Sequence, residues 1–179
     1  MYRVIKALNH NAVLVLDGAS QEYLIMGKGI GFGKKGSERI EPAPDSVVYS
    51  LQSVSERGKA KDLFKEIDPR YLEMADAVLN EAAKEFAHVD RGVLFPMADH
   101  IAFAVSRMRR GEVIANLLTQ DIQVLFYKEF KAASLVRRLL MEEEGLEVPD
   151  DEIGYVALHV HAATAGEKES SAMQIAAAV

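Results

Sequence analysis

Near residue 60 the spacing of apolar residues changes from two to about 3.6, so the chain must fold as two kinds of structure in series. Before the change, Arg3 to Leu8 alternates as a strand with one wet face does. Ala12 to Leu16, Glu22 to Met26, Arg39 to Glu41 and Ser46 to Leu51 supply further extended segments. Asn9-His10-Asn11 and Asp17-Gly18 between them are turn chemistry, because Asn and Gly tolerate left-handed backbone angles. After the change, Leu72, Ala75, Leu79, Ala82 and Phe86 form one helical stripe behind Asp68-Pro69, a cap followed by proline. A second helix is predicted from Phe95 to Arg109, stopping at Gly111. A third runs from Asp121 to Glu144, with Ile122, Leu125, Phe126, Phe130, Ala133, Val136 and Leu140 inward. A fourth starts at Pro149-Asp150-Asp151 and continues through Ile153, Val156 and Val160.

The fold class is therefore α+β and multidomain, a small antiparallel β module followed by an all-α helical bundle. The predicted boundaries are a β domain over 1–56, a linker over 57–61, a bundle over 62–168 and a tail or linker over 169–179. A β core of this size is marginal alone, so a dimer would help it bury its apolar faces.

The formal net charge of −6 hides an asymmetry. Residues 1–40 hold six basic groups against three acidic ones, whereas the rest of the chain holds 15 against 24. A basic module on an acidic body is the pattern of a nucleic-acid reader carrying a second function. Cysteine is absent, which removes disulfides, thiol nucleophiles and cysteine zinc sites. The N-terminus has no signal-peptide apolar region, and no apolar run approaches the length of about 18 residues that a membrane span needs. No membrane insertion is expected, and a cytoplasmic location is.

Within the basic module lies Met26-Gly27-Lys28-Gly29-Ile30-Gly31-Phe32-Gly33-Lys34-Lys35, with four glycines, three lysines and one aromatic. Glycine lets a partner's backbone come close, lysine brings mobile positive charge, and Phe32 is an apolar plate between glycines. Phosphates and flat bases would use all three features. The stretch is not a P-loop, because Gly33-Lys34 lacks the glycine five positions earlier and the following Ser or Thr. Gly31 to Gly36 matches GxGxxG but runs into Ser37 to Pro42, which has no helical period, so the dinucleotide reading fails. On spacing alone, a nucleic-acid loop and a hairpin loop with merely solvated lysines both remain open.

In the bundle, Asp99-His100 opens an apolar helix, and His159 and His161 lie in another. A helical histidine among apolar neighbours is commonly a core or boundary residue with a satisfied nitrogen. Residues 159 and 161 stand about 200° apart on a helix and cannot chelate one ion there. No metal or cofactor site and no catalytic residue is predicted, since no nucleophile sits in a strand-turn-helix elbow. Histidine can also accept a phosphoryl group, which turns a neutral ring into a dianion and local packing into repulsion.

Four segments together carry a family resemblance: Leu8 to Val13, Met26 to Lys35, Asp99 to Ala104, and Glu152 to His159. With them the chain resembles the transcriptional antiterminators of the bacterial sugar phosphotransferase system, the BglG/SacY/LicT type. The resemblance implies a four-stranded RNA-binding domain that works as a homodimer on an RNA hairpin overlapping a terminator. It implies RNA contacts from Asn9, Asn11, Gly27, Lys28, Gly29 and Phe32, with Lys6 as a weaker candidate. The bundle would be the first of two regulation domains, with His100 and His159 as phosphorylation sites served by the enzyme II of the cognate sugar. Val160-His161, where many members have Val-Asn, together with the Gly-Ile-Gly-Phe-Gly-Lys-Lys run, is closer to the glucose-transport branch. His161 itself reads as a helix-surface residue, and the family's second regulation domain is not among these residues.

Two rival functions share the sequence. A phosphocarrier would use His100 or His159 as a relay and the β module only to dimerise. A DNA-binding repressor is disfavoured, because no helix-turn-helix is visible and the basic residues sit in the β module.

Overall fold

The structure is a computed structural model and describes residues 1–52, 54–55 and 58–165. Residue 57 of the predicted linker, the end of the predicted bundle beyond 165 and the tail over 169–179 lie outside the described residues. The chain divides into two compact units, Met1–Asp76 and the part from Ala77 onward.

In the first unit, strands β1 (Tyr2–Asn9), β2 (Ala12–Leu16), β3 (Glu22–Met26), β4 (Arg39–Ile40) and β5 (Val47–Ser50) form one sheet in the order β4-β1-β2-β3-β5. Every pairing is antiparallel. The resemblance implied four strands; the fifth, the two-residue edge strand β4, falls on the extended segment Arg39 to Glu41 read from the sequence. Between β2 and β3 the register is regular, from Ala12 opposite Met26 to Leu16 opposite Glu22. Between β1 and β2 it shifts twice, between Val4 and Lys6 and between Ala7 and Asn9. Such shifts insert an extra residue and bend the strand, and they break the alternation that the sequence shows over Arg3 to Leu8.

One face of the sheet is a cluster of Val4, Val13, Val15, Ile25 and Ile40, with Ile30 packed against it from the glycine-rich loop. Leu24, Ile25 and Met26 are all buried in succession, so β3 is covered on both faces. On the second face, a groove of about 550 Å³ lies between Lys6, Leu8 and Leu14 of the strands and Phe64, Ile67 and Pro69. Phe64 belongs to helix α1 (Ala60–Glu66), a seven-residue element too short to leave a periodic signal in the sequence. Strands β6 (Val54–Ser55) and β7 (Gly58–Lys59) pair just before it.

Helix α2 (Pro69–Ala82) starts at the predicted proline. Asp68 Oδ1 accepts the Arg70 backbone N–H at 2.9 Å. The hydrogen bond from the Arg70 side chain holds the Asp68 carboxyl below its ordinary value. Phe86 lies beyond the end of α2, so the predicted stripe stops one turn early.

The second unit contains α3 (Leu94–Arg109), α4 (Thr119–Leu125), α5 (Tyr127–Ala133), α6 (Leu135–Glu144) and α7 (Asp150–Thr164). Helix α7 packs on α3, α4 and α5. It buries Ile153, Val156, Ala157, Val160 and Ala163, as the central helix of a bundle does. The predicted third helix is three helices. Phe126 leaves the helical region at φ −121° and ψ 49°, and Ser134 marks the second break. Leu125, the last residue of α4, is 73% exposed rather than inward.

Candidate nucleic-acid interface and histidine pair

The turn between β1 and β2 and the glycine-rich loop after β3 are joined by hydrogen bonds. Asn9 Oδ1 accepts the Asn11 N–H at 2.9 Å, a local asparagine turn. Asn11 Oδ1 accepts the Gly29 N–H at 2.9 Å. Gly27 N–H donates to the Asn11 carbonyl at 3.0 Å and Gly31 N–H to the His10 carbonyl at 2.8 Å. Gly29 adopts a φ of 72°, which a β-carbon disfavours. At Gly31 a β-carbon would stand 2.1 Å from the Asn9 carbonyl oxygen, so only glycine permits this approach.

The loop is anchored below by Ile30 and open above. Phe32 is 68% exposed and meets His10 edge to face at 5.0 Å. A large apolar ring held out in water by a bonded loop is a platform for a flat partner. A pocket of about 400 Å³ beside it is lined by Lys28, Lys34 and Arg39, with Glu41 the acidic residue there. The structure thus brings Asn9, Asn11, Gly27, Lys28, Gly29 and Phe32 together. Lys6 is exposed on β1 and lines the separate groove beside Phe64 and Ile67. Lys34, Arg39 and His10 join the cluster without having been singled out. Lys34 was legible in the basic stretch, while Arg39 arrives through the pairing of β4 with β1.

In the second unit, His100 on α3 and His159 on α7 face each other with ring centroids 5.4 Å apart. Tyr155, one turn before His159, lies 5.7 Å from the His100 ring. Glu152 is only 3% exposed, and its Oε2 stands 3.7 Å from His100 Nε2. Arg107 Nη2 donates to both Glu152 oxygens at 3.1 Å. Seven positions separate His100 from Arg107 and Glu152 from His159, two helical turns in each case, so each pair shares a face. That spacing was a usable signal for Arg107 and Glu152, which sequence reasoning passed over. Burial acts to raise the Glu152 carboxyl, but the polar contacts from His100 and Arg107 outweigh it and hold the group below its ordinary value. His100 Nε2 is buried, and its approach to the Glu152 carboxylate at 3.7 Å is longer than a hydrogen bond.

His161 is a correction: it is not a surface residue. Its side chain is 14% exposed, its Nδ1 lies 3.0 Å from Glu129 Oε2, and its ring stacks on Phe126 at 4.0 Å. Among the described residues, no group of three or more His, Cys, Asp or Glu could hold a metal ion. No helix among them is long and apolar enough to cross a membrane.

Comparison with known proteins gives matches to both units. A family model described as CAT RNA binding domain matches residues 2–57, and one described as PRD domain matches residues 72–163. The chain is 31% identical over 162 residues to Protein GlcT of Staphylococcus aureus (strain bovine RF122 / ET3-1), covering 89% of this chain and 57% of that protein. It is 25% identical over 174 residues to Transcription antiterminator LicT of Bacillus subtilis (strain 168), covering 97% of this chain and 63% of LicT. The crystal structure of GlcT CAT-PRDI matches with a TM-score of 0.74 at 29% identity, over 92% of this chain and 99% of that one. The chain spans less than two thirds of the length of the curated relatives it matches.

Proposed function

This chain belongs to the PRD-domain family and carries a CAT RNA-binding domain ahead of its PRD, and from that premise we propose that it is an RNA-binding transcriptional antiterminator. It binds an RNA hairpin that overlaps a terminator in a sugar operon, and histidine phosphorylation of its PRD controls it. The observation that carries this reading is the solvent-facing Phe32 on a loop fastened to the Asn9–Asn11 turn, within the CAT match. An unpaired base stacks on Phe32, Lys28 meets phosphate, and Asn9, Asn11, Gly27 and Gly29 line the RNA backbone and base edges. Lys6, in the separate groove beside Phe64, is the weaker candidate for a charge contact.

His100 and His159 are the phosphoryl acceptors, and the enzyme II of the cognate sugar is the donor. A phosphoryl group on His100 would add a dianion beside the buried Glu152 carboxylate, with Arg107 as the nearby countercharge. The His100 side chain is 13% exposed, which suits a switch that holds its phosphoryl group better than a relay that passes it on. Glucose is the sugar that similarity to Protein GlcT favours. The protein acts in the cytoplasm as a homodimer. Support for association comes from Val113, Leu117, Val124, Leu125 and Tyr127, large apolar side chains each more than half exposed.

Titration of the chain with a hairpin RNA carrying internal loops, against duplex DNA of matched length, tests the reading. Two protein chains per RNA and a clear preference over DNA are expected. Phe32→Ala weakens RNA binding by about 1–3 kcal/mol, the usual cost of a lost base stack. Equal binding to RNA and DNA returns Gly27 to Lys35 to a solvated hairpin loop.

A further inference from the structure

The amides that the proposed function assigns to RNA already have a partner inside the first unit. Glu73, in the second turn of α2, takes both of them. Asn11 Nδ2 donates to Glu73 Oε1 at 2.6 Å and Asn9 Nδ2 donates to Glu73 Oε2 at 3.2 Å. From this we infer that Glu73 is an internal competitor of RNA: its carboxylate takes one amide N–H each from Asn9 and Asn11 and competes with RNA acceptors for these NH2 groups. The inference rests on the assignment of these two asparagines to the RNA contact.

The chemistry of the amide makes the competition direct. A primary amide offers one carbonyl oxygen and two N–H donors. Here both carbonyl oxygens are committed inside the loop, Asn9 Oδ1 to the Asn11 N–H and Asn11 Oδ1 to the Gly29 N–H. Those bonds fix the orientation of each side chain, so the NH2 groups are what the turn presents to a ligand. Phosphate, ribose and base-carbonyl oxygens are all acceptors that such donors read. A carboxylate is also an acceptor-only, anionic group, and its bonds to N–H donors are the stronger, charge-assisted kind. RNA and Glu73 therefore need the same NH2 groups.

The fold supports that placement. Asp76 follows Glu73 by three residues and shares its helix face, and it accepts the hydroxyl of Tyr49, a fully buried residue of β5. Two acids one turn apart thus bind donors of the sheet unit, Glu73 at the β1–β2 turn and Asp76 at β5. A polyanion approaching the turn meets a fixed negative charge where it would look for donors. Glu73 also stands on a helix that continues to Ala82, past the end of the first unit.

The test uses the full chain and a hairpin RNA selected for binding to it from a library of internal-loop hairpins. Glu73→Ala is expected to tighten RNA binding about tenfold, equivalent to about 1.4 kcal/mol. In the Asn9→Ala, Asn11→Ala background the same change should bring no gain, because the competed donors are gone. A gain that persists in that background is simple removal of a negative charge and overturns the inference. Unchanged binding in Glu73→Ala, with Asn11→Ala still weakening it, overturns the inference and leaves the RNA assignment standing. If Asn11→Ala has no effect on RNA binding, the assignment itself fails and takes the inference with it. Side-chain amide resonances of Asn9 and Asn11 in the RNA-free protein should move on Glu73→Gln, which reads the contact apart from any ligand.

Discussion

Arg107 on α3 spans to α7 and donates to both carboxylate oxygens of Glu152 at 3.1 Å. The acid is nearly inaccessible, so the pair is a buried charge with one strong partner. Removing that partner strands the carboxylate. Arg107→Ala is therefore expected to lower the unfolding free energy by about 3 kcal/mol, measured by urea denaturation. Adding Glu152→Gln to Arg107→Ala should recover part of that loss, since no orphaned charge remains. Equal stability of Arg107→Ala and wild type would show the pair to be irrelevant to the fold.

The same pair sets a pH dependence. The folded protein holds Glu152 below its ordinary value of 4.5, so the unfolded state binds the proton more readily. The resulting stabilisation is complete above about pH 4.5 and disappears as pH falls through the lower folded value. Arg107→Gln should raise the midpoint of acid unfolding, followed by circular dichroism at 222 nm. A midpoint that stays in place would mean that Arg107 does not lower the Glu152 carboxyl.

A β-carbon at position 31 has nowhere to go, because the atom it meets is the Asn9 backbone oxygen. Gly31→Ala should part the glycine-rich loop from the β1–β2 turn and cost about 1–3 kcal/mol of stability, as overpacking does. RNA affinity should fall more than tenfold while the strand signal in circular dichroism is retained. Wild-type RNA affinity in this variant would mean that the joined loop is not the reading surface.

His100 lies against a buried acid, so a permanent negative charge there partly imitates phosphorylation. His100→Asp is expected to lower antitermination in cells, read with a terminator-reporter fusion, while RNA binding by the β domain persists. Deletion of the donor enzyme II should raise antitermination by wild type and leave the variant unchanged. If wild type stays repressed in that deletion, phosphorylation by enzyme II is not the cause.

Strands β1 to β5 and the starts of α2, α3 and α7 were legible because they depend on local chemistry. Asp68-Pro69 marked α2, and Asn9-His10-Asn11 marked the first turn. The bulges in β1 were not, since an extra residue in a strand changes the pairing and leaves no composition of its own. The third helix read as continuous because its apolar spacing carries through Phe126. Only the dihedral angles there reveal the break, and Leu125 just before it faces solvent. Within the candidate site, the loop was visible as composition and the histidines as motifs. Glu73 was not visible, because its contacts to Asn9 and Asn11 span 64 and 62 residues and follow from tertiary packing alone. His161 misled because a polar residue on a helix usually faces water, whereas here Glu129 and Phe126 enclose it.

The measurement that bears most directly on the central claim is photocrosslinking of the full chain to hairpin RNA containing 4-thiouridine in its loops, with the linked peptides identified by mass spectrometry. The account predicts crosslinks at Phe32 and in the segments 9–11 and 27–33, lost when Phe32 is replaced by alanine. Crosslinks confined to the helices of the second unit, with none in the glycine-rich loop, would contradict it.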